Sequence, residues 1–528
     1  MRQSTRRLFL TFAALVFTAA TAASQDLPVI RPGATGPQAT PATPDAAATT
    51  KAEETDAAAA DEHWQVILIG DERIGYVRTR TEELAPAKGR PQRLRTATET
   101  KMTFKRFGQS LSIGVDLVTT ETPDGQLLSY EYEMGTSPTS TTKSVGTVDG
   151  DKLRIETTIA GTSQSKTIPW DATVKSPAYQ ERVLREEGIK PGETKTFRAF
   201  IPEFNQVSEV RIAAHEVREV ELPGGERRSL LKTEVTQSVL PTMPMTAWLD
   251  DEGELVLVET DMLGQTMRFF DVPKADALRE IAGAELDIAV NTLIPATPLD
   301  NPHETEQVVY RIHVPGEDAA SLFVDGGTQR VMRIDHETVE ITVTAVPISK
   351  RWGRVQADAE FTEPTALLQS NDATIREHVG KAVSPDRAEG DAALQLERYV
   401  HEKLDKKNFT TAFASAAEVA DKLEGDCSEH AVLLAALLRA RGIPSRVAVG
   451  LVYVPGQAKM GGHMWTEALF EDGWVPLDAT LGRGGIGGGH LKVADSSLAD
   501  DAPLPVTAFA PLLSLSPETK IEVLKIER

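Results

Sequence analysis

Gly425-Asp426-Cys427-Ser428-Glu429-His430 opens an apolar run that ends at Arg441-Gly442-Ile443-Pro444. Ala431, Leu434, Leu437 and Leu438 recur through it at helical spacing. Gly442 is a helix stop and Pro444 prevents continuation. Asp426 and Glu429 are suited to the helix start, where backbone N–H groups lack partners. The single cysteine of the 528 residues, Cys427, therefore sits at the N-terminal end of a predicted helix. The positive end of the helix dipole favours the thiolate there, and the thiolate is the nucleophilic form. A lone cysteine ordinarily packs as a small buried hydrophobe, so the function of Cys427 depends on what accompanies it.

Two further blocks follow it: Gly462-His463-Met464-Trp465-Thr466-Glu467, then Gly473-Trp474-Val475-Pro476-Leu477-Asp478. Residues 446–454, 463–470 and 474–477 read as strands, with Asp472-Gly473 as the hairpin signal between the last two. His463 is the candidate imidazole, able to pair with the thiol and protonate a leaving amine. Asp478 is the candidate carboxylate that fixes the imidazole's tautomer. A tight turn at Asp472-Gly473 places Asp478 opposite Glu467, so pairing with His463 requires a looser turn, a bulge or sheet twist. His430 competes for the role of base. It lies three residues along the same helix as Cys427, an awkward approach to the sulfur, and reads as a packing residue. Trp465 and Trp474 read as packing that shields the site from water.

These three blocks, in this order and extended by Ser445-Arg446 and Ala479-Thr480, resemble the transglutaminase-like superfamily over roughly residues 385–500. The resemblance implies a papain-like α+β core, a cysteine-bearing helix packed on an antiparallel sheet. It also implies Cys427 as nucleophile, His463 as general base and acid, and Asp478 as orienting residue. Superfamily members cross-link glutamine to lysine, deamidate, hydrolyse amides as a cysteine peptidase does, or have lost activity. The reaction therefore stays open at this point. The reading from another class is a non-catalytic binding or scaffold protein of the cell envelope that keeps the fold.

The rest of the chain is organised before this region. Residues 1–24 read as a signal peptide: Arg2, Arg6 and Arg7, an apolar stretch from Leu8 to Phe17, then small residues. Ser4-Thr5-Arg6-Arg7-Leu8-Phe9-Leu10 also resembles the twin-arginine motif, so either that route or the Sec route would lead to a periplasmic or extracellular location. Residues 25–61 are an Ala/Pro/Thr-rich tether too poor in bulky side chains to fold. Residues 62–274 read as a β-rich domain of unknown role. Its alternating strands at 66–69, 111–119, 153–159, 207–212, 230–239 and 255–259 suggest a large antiparallel sheet, curved or partly closed. A helix is predicted at 178–187. Residues 275–370 combine a helix at 275–284 and a proline-marked connection with a small β domain. Its strands are predicted at 307–314, 321–324, 329–334 and 338–346. Residues 371–500 are the predicted catalytic domain, with helices at 391–404, 415–423 and 428–441, and 501–528 form a C-terminal extension. The fold class is thus multidomain, β-rich N-terminal domains followed by an α+β, papain-like domain.

The net charge of −22 argues against nucleic-acid partners; a protein, peptide or envelope component fits better. The ten histidines are scattered, with no HExxH or paired-cysteine motif, so neither metal nor cofactor is expected. Gly482-Arg483-Gly484-Gly485-Ile486-Gly487 spells a dinucleotide fingerprint without the βαβ unit it requires, and reads as a loop before His490. Asn408-Phe409-Thr410 fits a glycosylation site, a short pattern of little weight.

Overall fold

The computed structural model describes residues 61–528 apart from 87–90, 107, 138–139, 160, 242, 263–264, 280–286, 288–291, 350–351, 407–413 and 501–509. The stretch expected to be an export signal, all of the expected tether but residue 61, and Asn408-Phe409-Thr410 lie outside the described residues. From β1 (Asp61–Ile69) to β14 (Gln265–Asp271) the described residues build one fourteen-stranded antiparallel sheet. Each strand pairs with its chain neighbour, except that β1 pairs with β14 and leaves β8 (Thr162–Pro169) and β9 (Thr194–Ile201) at the two ends. Period-two burial explains the strands: β4 (Gln109–Glu121) turns Leu111, Ile113, Val115 and Leu117 inward. β3 (Arg93–Arg106) does the same with Thr96, Thr98, Thr100, Met102, Phe104 and, at its end, Arg106. The sheet curls toward closure, as expected. Tyr130 donates to Asn205 Oδ1 at 2.6 Å, its ring centroid lies 4.9 Å from that of Phe200, and Lys175 bridges both Gln126 and Ala199. Helix α1 (Tyr179–Glu187), ending at Gly188, is tied down by a buried ion pair from Arg182 to Glu121 at 2.9 Å.

A second sheet has the order β17 (Gln329–Arg333), β18 (Thr338–Thr344), β16 (Gln307–His313), β23 (Lys520–Glu527). Three expectations change here. Residues 321–324 do not form a strand; Ala319–Leu322 is a 3-10 turn. The C-terminal residues do not merely extend the chain: β23 hydrogen bonds along the whole of β16. The helix expected at 275–284 is a single turn, Lys274–Ala277, and residues 280–284 lie outside the described residues.

The third unit packs α2 (Ala373–Ala382), α3 (Glu389–Lys403), α4 (Ala416–Lys422) and α5 (Cys427–Arg441) against a sheet. That sheet has the order β15 (Ile294–Pro295), β20 (Lys459–Phe470), β19 (Ser445–Val454), β22 (His490–Ser496), with β21 (Gly473–Leu477) on β20. The sequence suggested an inward stripe on α5, but every residue from Cys427 to Arg439 is buried. A helix apolar all round lies between layers: α2, α3 and α4 cover one side of α5, and β19 and β20 the other. Arg439 closes its far end, donating to the carbonyls of Glu363, Ser445 and Ser497, and Gly442 takes φ +89°. Among the described residues no helix is long and apolar enough to cross a membrane.

Candidate active site

The turn into α5 is built from its own side chains. Gly425 has φ +154°, and a Cβ there would stand 2.4 Å from Glu429 Cβ. Asp426 caps the helix: its Oδ1 accepts from Ser428 N at 2.8 Å and Ser428 Oγ at 2.7 Å. Glu429 completes a capping box, with Oε2 accepting from Asp426 N at 2.9 Å and Oε1 from Ala414 N at 3.2 Å. Asp426 Oδ2 pairs with the guanidinium of Arg106. His430 donates from Nδ1 to the Asp426 carbonyl at 2.6 Å, a contact along its own helix.

Cys427 is 3% exposed. Burial pushes its thiol well above the ordinary range, and the charges of Asp426 and Glu429 push the same way; Arg106 and a backbone N–H from Met464 oppose them. The helix-start argument favoured a thiolate. Burial in this closed site works against that preference.

Between its pairing with β15 at Met460 and with β21 at Thr466, one edge of β20 is open. The Met464 amide in that gap meets the Cys427 sulfur. The hairpin beyond it turns earlier than the sequence suggested. Phe470 pairs with Gly473, so Glu471 and Asp472 occupy the turn and Gly473 follows it in left-handed backbone at φ +106°. Pro476, not Asp478, therefore faces Glu467, and Leu477 faces Thr466. Asp478 follows one residue further on, level with Trp465 and diagonal to His463. This two-residue correction brings the pair together: His463 Nε2 donates to Asp478 Oδ2 at 2.8 Å, with both side chains fully buried. Burial alone would raise the pKa of Asp478. The charges and hydrogen bonds of His463 and His490 outweigh it and hold the carboxyl well below its usual range.

Three residues at the site were not singled out from sequence. His490, at the start of β22, donates from Nε2 to the same Oδ2 at 3.0 Å. The rings of His463 and His490 both lie against Trp465, with centroids 6.1 and 5.3 Å away. Glu397 on α3 accepts from Asp478 N and Gly485 N, each at 3.1 Å. Burial is the main cause that pushes its carboxyl up to about 8. Arg106 comes from the large sheet. The glycine-rich run before His490 is packed: a Cβ on Gly487 would lie 2.6 Å from His303, and Gly488 accepts from Tyr310 and donates to Thr305. Its glycines allow the close approach that delivers His490 to Asp478. The histidines are thus not all scattered, since donor atoms of His463, Asp478 and His490 lie within 4.8 Å of one another. A cation there would have to displace both imidazole hydrogen bonds to Asp478.

Residues 376–479 match the family model of the transglutaminase-like superfamily. Over 160 residues the chain is 27% identical to an uncharacterised protein of Mycobacterium leprae (strain TN), covering 28% of this chain and 55% of that protein. The match spans about half the length of that curated relative. Among solved structures, a candidate cysteine protease from Cytophaga hutchinsonii aligns over 43% of this chain and 85% of its own, at 14% identity and TM-score 0.27. A β-barrel-like protein of unknown function from Brucella abortus aligns over 40% of this chain and 94% of its own, at 10% identity and TM-score 0.28. At these TM-scores no shared fold follows from the likeness. The family match falls on the stretch where a buried helix carries Cys427 to the edge of a sheet that holds His463, with Asp478 one residue past β21. Residues 376–479 carry a domain of the transglutaminase-like superfamily.

Proposed function

We propose that the chain is an exported thiol enzyme acting on amide bonds of protein or peptide substrates, with Cys427, His463 and Asp478 as its reacting set. The observation that carries the reading is the buried 2.8 Å bond between His463 Nε2 and Asp478, one residue from the amide that meets the Cys427 sulfur. A carboxylate only accepts, so Nε2 holds a proton and Nδ1 is the nitrogen that serves the thiol. Burial raises the thiol, so in this reading His463 acts as a general base rather than as half of a standing ion pair. As sulfur attacks the amide carbonyl, His463 takes the thiol proton and passes it to the departing nitrogen. A thioester forms on Cys427 and ammonia or an amine leaves. Water or an acceptor amine, deprotonated by His463, then attacks the thioester and restores the thiol. Transfer, deamidation and hydrolysis share the first half and differ in the acceptor.

The test is mass spectrometry of the intact protein incubated with glutamine-containing peptides and a primary amine. An acyl adduct on Cys427 with release of ammonia is expected, lost in Cys427→Ala. Amide turnover that persists in Cys427→Ala would end the proposal. The near-complete burial of Cys427 favours a second reading, a binding or scaffold protein of the cell envelope. Its signature is a thiol that reacts only on unfolding.

A further inference from the structure

β3 and β4 meet in a hairpin whose last paired residues are Arg106 and Gln109. This hairpin belongs to the large N-terminal sheet, yet its end lies inside the thiol site. Arg106 and Asp426, 320 residues apart, form an ion pair in which each side chain is 1% exposed. Asp287 fixes the hairpin from the other side, bridging Lys105 and accepting from Gly108 N at 2.7 Å. A buried arginine is costly to desolvate and is retained where it meets a carboxylate with good geometry.

The charged and titratable groups around the sulfur come from several elements. Asp426, Glu429 and His430 belong to the start of α5, His463 to β20 and Arg106 to β3. Asp478, His490 and Glu397 stand behind His463. Burial and the neighbouring Asp426 push the Glu429 carboxyl well above its ordinary value. Asp426 and Glu429 both oppose a Cys427 thiolate, Asp426 the more strongly, and Arg106 is the cation placed on Asp426.

We propose that Arg106 is a positioning residue of the thiol site, its guanidinium neutralising Asp426 so that Cys427 can ionise. The N-terminal sheet then completes the site by supplying a charge that residues 376–479 do not contain. The inference rests on the proposed function only in taking Cys427 as a nucleophile.

The test is iodoacetamide labelling of Cys427 against pH in the full chain, where it is the single cysteine. Wild type is compared with Arg106→Gln, Arg106→Lys and Arg106→Gln/Asp426→Asn, with melting curves for each. For Arg106→Gln the labelling midpoint moves up by about one pH unit, a roughly tenfold slower reaction at pH 7. Arg106→Lys stays close to wild type, and the double variant recovers because no charge is left to neutralise. If Arg106→Gln does not fold, the lysine and double variants carry the test by themselves. A wild-type profile in Arg106→Gln would overturn the proposal. So would faster labelling, which would make the hairpin a cover over the sulfur, or a lysine variant and a double variant both as slow as the glutamine one. Loss of the His463 dependence of labelling, with the Arg106 shifts intact, would end the enzymatic reading and leave this one standing.

Discussion

Glu397→Gln tests how the Asp478 end of the site is held. Glu397 is 1% exposed, and its Oε1 accepts from Asp478 N and Gly485 N. Burial raises its pKa from 4.5 to about 8, with the Asp478 charge assisting and backbone donors opposing. The folded state therefore keeps a proton that the unfolded chain releases above about 4.5. The stability linked to that proton is fully present below pH 4.5 and is lost as pH rises through about 8. At about 1.4 kcal/mol per pH unit, this window sets a ceiling of ~5 kcal/mol. Glutamine keeps the carbonyl acceptor and cannot titrate. Scanning calorimetry from pH 5 to pH 9 should show the variant and wild type melting close together at the acid end. The variant should then gain on wild type as pH rises, by on the order of 10 °C at most for a unit of this size. Parallel curves, or wild type gaining on the variant with rising pH, would refute the protonated Glu397.

Asp478→Ala removes the acceptor of two imidazoles and should slow any Cys427-dependent amide turnover by about 10³–10⁴-fold, measured as kcat/KM. His490→Phe keeps a ring against Trp465 but removes one charge-assisted bond to Asp478. A loss of turnover of about 10- to 150-fold with an altered pH profile is expected, from the roughly 1.5–3 kcal/mol typical of such bonds. Gly425→Ala forces a side chain into left-handed backbone 2.4 Å from Glu429 Cβ. It should cost about 2–4 kcal/mol, read as a fall in Tm, with loss of labelling at the cap.

The helix that carries Cys427 was legible because its signals are local: Asp426 caps it, Glu429 closes the capping box, and Gly442 ends it within one continuous stretch. The pairing of His463 with Asp478 was legible in kind but not in register. A turn at Glu471 and Asp472 differs from one at Asp472 and Gly473 by a single position, yet it moves the register of β21 by two residues. Most strands of the large sheet escaped notice for a different reason. β3 turns Thr96, Thr98 and Thr100 inward, so its alternation is between polar residues and carries little hydrophobic contrast. β22 was hidden behind glycines whose meaning comes from contact with His303 and Tyr310, far away in the chain. Arg106 had no sequence signal, since a buried charge is explained only by its partner, and that partner is Asp426.

The most direct measurement is the rate of Cys427 alkylation by iodoacetamide in folded wild type and in His463→Ala, followed across pH. With His463 as base, labelling near pH 7 should be about 10²-fold faster in wild type than in the variant, well below the ordinary thiol pKa of about 8.5. Equal, slow labelling in both proteins, rising only when the chain unfolds, would contradict the account and leave Cys427 as a packed side chain in a binding scaffold.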